Sequence, residues 1–124
     1  VALVVVVLVG ASSVFATTNE GSTGCVASNP IGPGQQVKLD FTADPNPWAG
    51  VIYVNIPKTS STKTPSFCTD LKTSIKAGDC FQLDNSNPLT SCPITWLLNN
   101  GYGPDPTKSN AENAARQAAV WYFS

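Results

Sequence analysis

No histidine occurs anywhere in this chain of 124 residues. Nucleophilic catalysis of the Ser-His-Asp or Cys-His kind needs an imidazole to take the proton, so both are excluded in their usual form. The commonest zinc ligand is missing too. Cys25, Cys68, Cys80 and Cys92 are left, and their spacings contain none of the short Cys pairs of a structural zinc site. No metal and no cofactor is therefore expected. Charge is also scarce: seven basic residues stand against eight acidic ones, which gives no footprint for nucleic acid or an anionic membrane. Finally, no apolar run reaches the roughly 20 residues that a membrane-spanning helix needs.

The apolar run that is present covers Val1 to Val9 and passes into the small residues Gly10-Ala11-Ser12-Ser13. This is the pattern of a signal-peptide core without its basic start, and Val14-Phe15-Ala16 predicts cleavage after Ala16. The alternative reading of the run is a buried core strand. Removing 16 of the 124 residues leaves 108, enough for one domain with a modest core, secreted or displayed at the cell surface. Four cysteines in an exported chain suggest two disulfides in one of three pairings. Cys80 and Cys92 enclose the polar stretch Leu83-Asp84-Asn85-Ser86-Asn87-Pro88, the kind of excursion a disulfide can staple.

Residues 17–35 read as a flexible lead-in, with a turn-rich break at Asn29-Pro30-Ile31-Gly32-Pro33-Gly34. The domain proper is expected over 36–124. Alternation of Val37, Leu39 and Phe41 with Lys38 and Asp40 predicts a half-buried strand that stops at Asp44-Pro45-Asn46-Pro47. Val51 to Ile56, Ser66 to Leu71 and Cys80 to Leu83 predict three more. The period then changes. Pro93 to Leu98 fits a short helix closed by Asn99-Asn100-Gly101, and Ser109-Asn110-Ala111-Glu112 is a capping box that opens an alanine-rich helix ending in Trp121-Tyr122-Phe123. Strands followed by helices predict an α+β fold: an antiparallel sheet or sandwich-like part, then a small helical part.

On the last helix Asn113, Gln117 and Trp121 share one face at i, i+4 and i+8. A glutamine set among alanines beside a tryptophan is a polar group in surroundings that read as buried, and a buried amide has to be hydrogen-bonded.

Phe67-Cys68-Thr69-Asp70-Leu71 and Arg116-Gln117-Ala118-Ala119-Val120-Trp121, with Ile94 to Asn100 and Pro104-Asp105-Pro106 between them, resemble the signature stretches of thioester domains in Gram-positive surface adhesins. The likeness runs from Ser66 to Ser124, about half of the mature chain; Arg116 stands where the family has threonine and Thr69 where it has tryptophan. It implies a Cys68–Gln117 thioester, shielded by Phe67, Trp121 and Tyr122, that captures an amine such as a lysine side chain on a host or surface protein. Such a domain is a single-use reagent, not a turnover enzyme, and it normally continues past this C-terminus. With Cys68 committed and Cys80 paired to Cys92, Cys25 would be the odd thiol. The rival readings are a disulfide-stapled extracellular binding module in which Cys68 pairs with Cys25 and Gln117 is only structural, and a cysteine-nucleophile enzyme, which the missing histidine disfavours.

Overall fold

β-Branched and aromatic side chains crowd the stretch around Val51, and that stretch sits at the middle of the sheet. The computed structural model describes residues 4–5, 23–42, 46–72, 74–82 and 91–124, apart from the side chains of Val4, Val5 and Gln82. The strands are β1 (Val4–Val5), β2 (Thr23–Gln36), β3 (Trp48–Asn55), β4 (Lys63–Cys68) and β5 (Cys80–Gln82). They form one antiparallel sheet in the order β1-β4-β3-β2-β5, with β1 at one edge and β5 at the other. Helices α1 (Cys92–Asn99) and α2 (Asn110–Phe123) follow, and the fold is α+β, with the glutamine on the second helix.

Alternation along the central strands gives the sheet two different faces. Val51 of β3 and Phe67 of β4 point one way, into a core closed by Ile94 of α1 and Val120 of α2. Each of these four side chains is no more than 2% exposed, and full burial of such a group stabilises by about 1.5–3 kcal/mol. Ile52 and Cys68 point the other way.

β2 corrects the expectation for the N-terminal half. The strand begins at Thr23 and runs through Asn29 to Gly34, where a lead-in and a break are expected. Two register shifts against β3, between Val26 and Ile31 and between Ile31 and Gly34, absorb the prolines and glycines that read as a turn. Gly34 and Gly50 are partners in that register, and a Cβ on Gly50 would stand 2.5 Å from the Gly34 Cα. Close backbone approach therefore explains both glycines. Residues 37–41, expected as a strand, lie outside the sheet, because β2 already occupies the place beside β3.

The start of α2 and the end of α1 follow from local chemistry. The Ser109 hydroxyl accepts from the Glu112 N–H at 3.1 Å, as the capping box predicts, while the Glu112 carboxylate takes Arg116 at 2.6 Å. α1 ends in a Schellman motif: the Tyr102 N–H donates to Leu97 at 2.9 Å, the Gly101 N–H to Leu98 at 3.4 Å, and Gly101 takes φ +83°. Of the expected signal segment 1–16, only the backbone of Val4 and Val5 falls among the described residues, paired with Cys68 and Phe67.

Candidate functional site

The face of α2 that carries Asn113, Gln117 and Trp121 is where the chain spends its buried polarity. Asn113 is 0% and Gln117 1% exposed, and each amide holds both backbone groups of one distant residue. The Gln117 Oε1 accepts the Cys68 N–H at 2.9 Å, and its Nε2 donates to the Cys68 carbonyl at 2.7 Å. One turn earlier, the Asn113 Oδ1 accepts the Asp105 N–H at 3.1 Å and its Nδ2 donates to the Asp105 carbonyl at 2.8 Å. A primary amide presents one acceptor and a donor side by side, as a strand residue does. Gln117 therefore stands in for a neighbouring strand two residues past Ser66, the last partner that β3 offers to β4.

This use of the amide overturns the thioester expectation. Gln117 retains its amide nitrogen, and the Cys68 thiol is free, donating to the Asp70 carbonyl at 3.2 Å. Burial pushes the Cys68 thiol above its ordinary value; the bond to the Asp70 backbone works against that, and the Asp70 charge adds to it. A thiol so held keeps its proton and is a poor nucleophile. Arg116, at the family's threonine position, turns away to the Gly103 carbonyl at 2.8 Å and to Glu112.

The cysteine pairing is corrected as well. The disulfide joins Cys25 to Cys80, which are direct cross-strand partners on β2 and β5, whereas Cys92 is an exposed free thiol on α1. The expected Cys80–Cys92 bridge was suggested by the polar loop between them; register decides instead, and Cys25 is not an odd thiol. The loop itself, 83–88, lies outside the described residues.

Of the three expected shielding residues, Phe67 is in the core on the far face of the sheet from the Cys68 side chain. Tyr122 is 64% exposed and meets Phe41 edge-on at 5.4 Å. Trp121 alone of the three lines, with Cys68, a groove of about 730 Å³. Its floor is the face of the sheet that carries Ile52, and its walls include Ile31, Phe41 and Trp48. Ile31 is 59% and Phe41 41% exposed, so apolar surface faces solvent here. Asp70 and Lys72 stand at the lining as its charged members, and the Trp121 Nε1–H is buried without a hydrogen-bond partner. Trp48, Ile31 and Ile52 are site residues that sequence reasoning does not single out; the signal available was Trp48 itself, a large aromatic directly after Pro45-Asn46-Pro47.

Among the described residues no group of three or more metal-ligand side chains comes together, and no helix is long and apolar enough to cross a membrane. No family model matches the chain, and neither a curated protein nor a solved structure matches it.

Proposed function

We propose that the chain is a secreted or surface-displayed binding module, stapled by the Cys25–Cys80 disulfide, that takes an apolar ligand in the groove between Trp48 and Trp121 without forming a covalent bond to it. The observation that carries this reading is the groove itself. It has an aromatic and aliphatic lining, a few polar groups at its margin and a volume near 730 Å³, within the roughly 300–1,000 Å³ of ligand sites. A disulfide supports maturation in an oxidising compartment, which agrees with the export signal read over 1–16. Binding is favoured over turnover because the nucleophile that lines the groove, Cys68, is held as a protonated thiol.

The test uses the tryptophans. Trp48 and Trp121 line the groove, whereas Trp96 stacks on Tyr102 at 6.0 Å and is not part of the lining. Titration with anilinonaphthalene sulfonate is expected to saturate and to quench tryptophan emission. Trp48→Ala should weaken that binding about ten-fold or more, and Trp96→Ala should leave it unchanged. Equal effects of the two substitutions would refute the groove as the binding site.

A further inference from the structure

We propose that the groove takes a single-chain amphiphile with an anionic head, a long-chain carboxylate, whose hydrocarbon lies between Trp48 and Trp121 and whose head meets the ammonium of Lys72. The proposal deepens the groove reading and rests on it.

The lining of the groove is not uniform. Strand order puts β3 and β2 between β4 and β5, so the chain that leaves β4 at Cys68 has to pass both strands before it enters β5 at Cys80. That passage supplies most of the polar members of the lining, Cys68, Asp70, Lys72 and Ser74, whereas β2 and the start of β3 supply Ile31 and Trp48. Polar and apolar groups thus come from different segments, and a ligand that uses both has a polar end and an apolar body.

Hydrogen bonding gives the polar part a sign. Asp70 is engaged within the chain: its carboxylate accepts the Lys72 N–H at 2.8 Å, and its carbonyl accepts the Cys68 thiol at 3.2 Å. Two donors of the lining, by contrast, have no partner among the described residues. The Lys72 side chain is exposed and its ammonium makes no ion pair, while the Trp121 Nε1–H is buried. A lining with spare donors and a cation on a flexible four-carbon stem is complementary to an acceptor-rich, negatively charged group.

The apolar body follows from the floor. Ile52 belongs to β3, an inner strand whose backbone is paired to β2 on one side and β4 on the other, so the floor offers side chains and not a free edge. An extended peptide laid across it would leave its own N–H and C=O groups without partners. A hydrocarbon chain has no such groups to strand.

The experiment uses the full chain at neutral pH and three probes of equal chain length, each below its micelle concentration: dodecanoate, dodecanol and dodecyltrimethylammonium. Affinity is read by titration calorimetry. Dodecanoate should bind tighter than dodecyltrimethylammonium and should weaken as salt rises. Lys72→Gln should weaken dodecanoate about three- to five-fold, the size of an exposed ion pair, and leave dodecanol unchanged, and Lys72→Arg should restore the parent affinity. Asp70→Asn, which keeps an oxygen for the Lys72 N–H, should tighten dodecanoate by a similar factor. A Lys72→Gln effect that is equal for dodecanoate and dodecanol, or absent from both, overturns the anionic head and leaves the groove reading standing. If none of the three probes binds, the proposal falls, and the groove reading falls with it where Trp48→Ala also leaves anilinonaphthalene sulfonate binding unchanged. Phosphatidylglycerol vesicles present anionic heads in a bilayer, and the chain should not sediment with them; sedimentation with vesicles without binding of dodecanoate overturns the single-chain ligand.

Discussion

Replacing the Gln117 amide with a carboxyl group tests whether it is a backbone clamp. In Gln117→Glu one oxygen can still accept the Cys68 N–H, but the other faces the Cys68 carbonyl, where the parent places a donating Nε2 at 2.7 Å. Only the protonated acid can donate there, so the folded state raises the carboxyl's pKa above the ordinary value of about 4.3. A raised folded pKa means stability that is complete below the unfolded pKa and is lost as pH rises through the folded one. Each pH unit in that window costs about 1.4 kcal/mol, so up to about 3.5 kcal/mol is lost by pH 7. That is a large part of the roughly 5–15 kcal/mol that stabilises a domain of this kind. Urea unfolding at pH 4 and pH 7 reads it directly: the variant should approach the parent at the lower pH and lose about 1 M or more of midpoint, relative to it, at the higher. A stability offset that does not change with pH would show that the amide nitrogen is not donating to Cys68. An intact parent mass short by one ammonia beyond the two hydrogens of its disulfide would refute the clamp outright, because Nε2 would then be absent.

Three further outcomes follow from the same geometry. Thiol titration of the native protein should find Cys92 reacting at once and Cys68 only after unfolding, and stability should fall as pH rises above about 8.5, where the unfolded Cys68 ionises first; Cys68→Ala should abolish that alkaline slope. Cys25→Ser should cost about 4 kcal/mol in denaturant unfolding, as expected for a closed loop of 55 residues, whereas Cys92→Ser should change stability by no more than about 0.5 kcal/mol. Gly101→Ala should cost about 1 kcal/mol for its positive φ, measured by thermal unfolding, and Gly50→Ala more, because the added Cβ meets the backbone of β2.

The helices and the inner strands were legible because their signals are local. Ser109 and Glu112 mark a helix start, Gly101 a helix end, and the Val51 to Val54 run a buried strand, whatever surrounds them. What could not be read depends on register between distant segments. Prolines and glycines from Asn29 to Gly34 suggest a turn until two bulges against β3 are known. Cys25 and Cys80 lie 55 residues apart and meet only because β2 pairs on one edge with β5. The Cys68 and Gln117 pair was found from the sequence and is real as a contact, yet the motif does not tell a bond between side chains from an amide holding a backbone.

The amide clamps also explain how stability and the groove are joined. A helix laid across the end of β4 and the loop before its own start meets backbone groups that neither hydrocarbon nor water can satisfy there, and at each of the two α2 answers with an amide. Asn113 and Gln117 fix the rotation of the helix about its axis, since each must meet one residue with both of its polar atoms. With the rotation fixed, the next residue on that stripe, Trp121, is carried one further turn along to the groove. Alanines at 114 and 118 lie beside this stripe and let the helix approach closely enough for the short amide arms to reach. A substitution that loosens the clamp should thus move the groove wall as well as lower stability. Asn113→Ala, one turn farther from the groove than Gln117, separates the two effects. If the clamps set the rotation of α2, it should weaken anilinonaphthalene sulfonate binding measurably at temperatures where the domain is still folded. If binding is unchanged there, Trp121 is positioned by its own packing and the clamps serve stability alone.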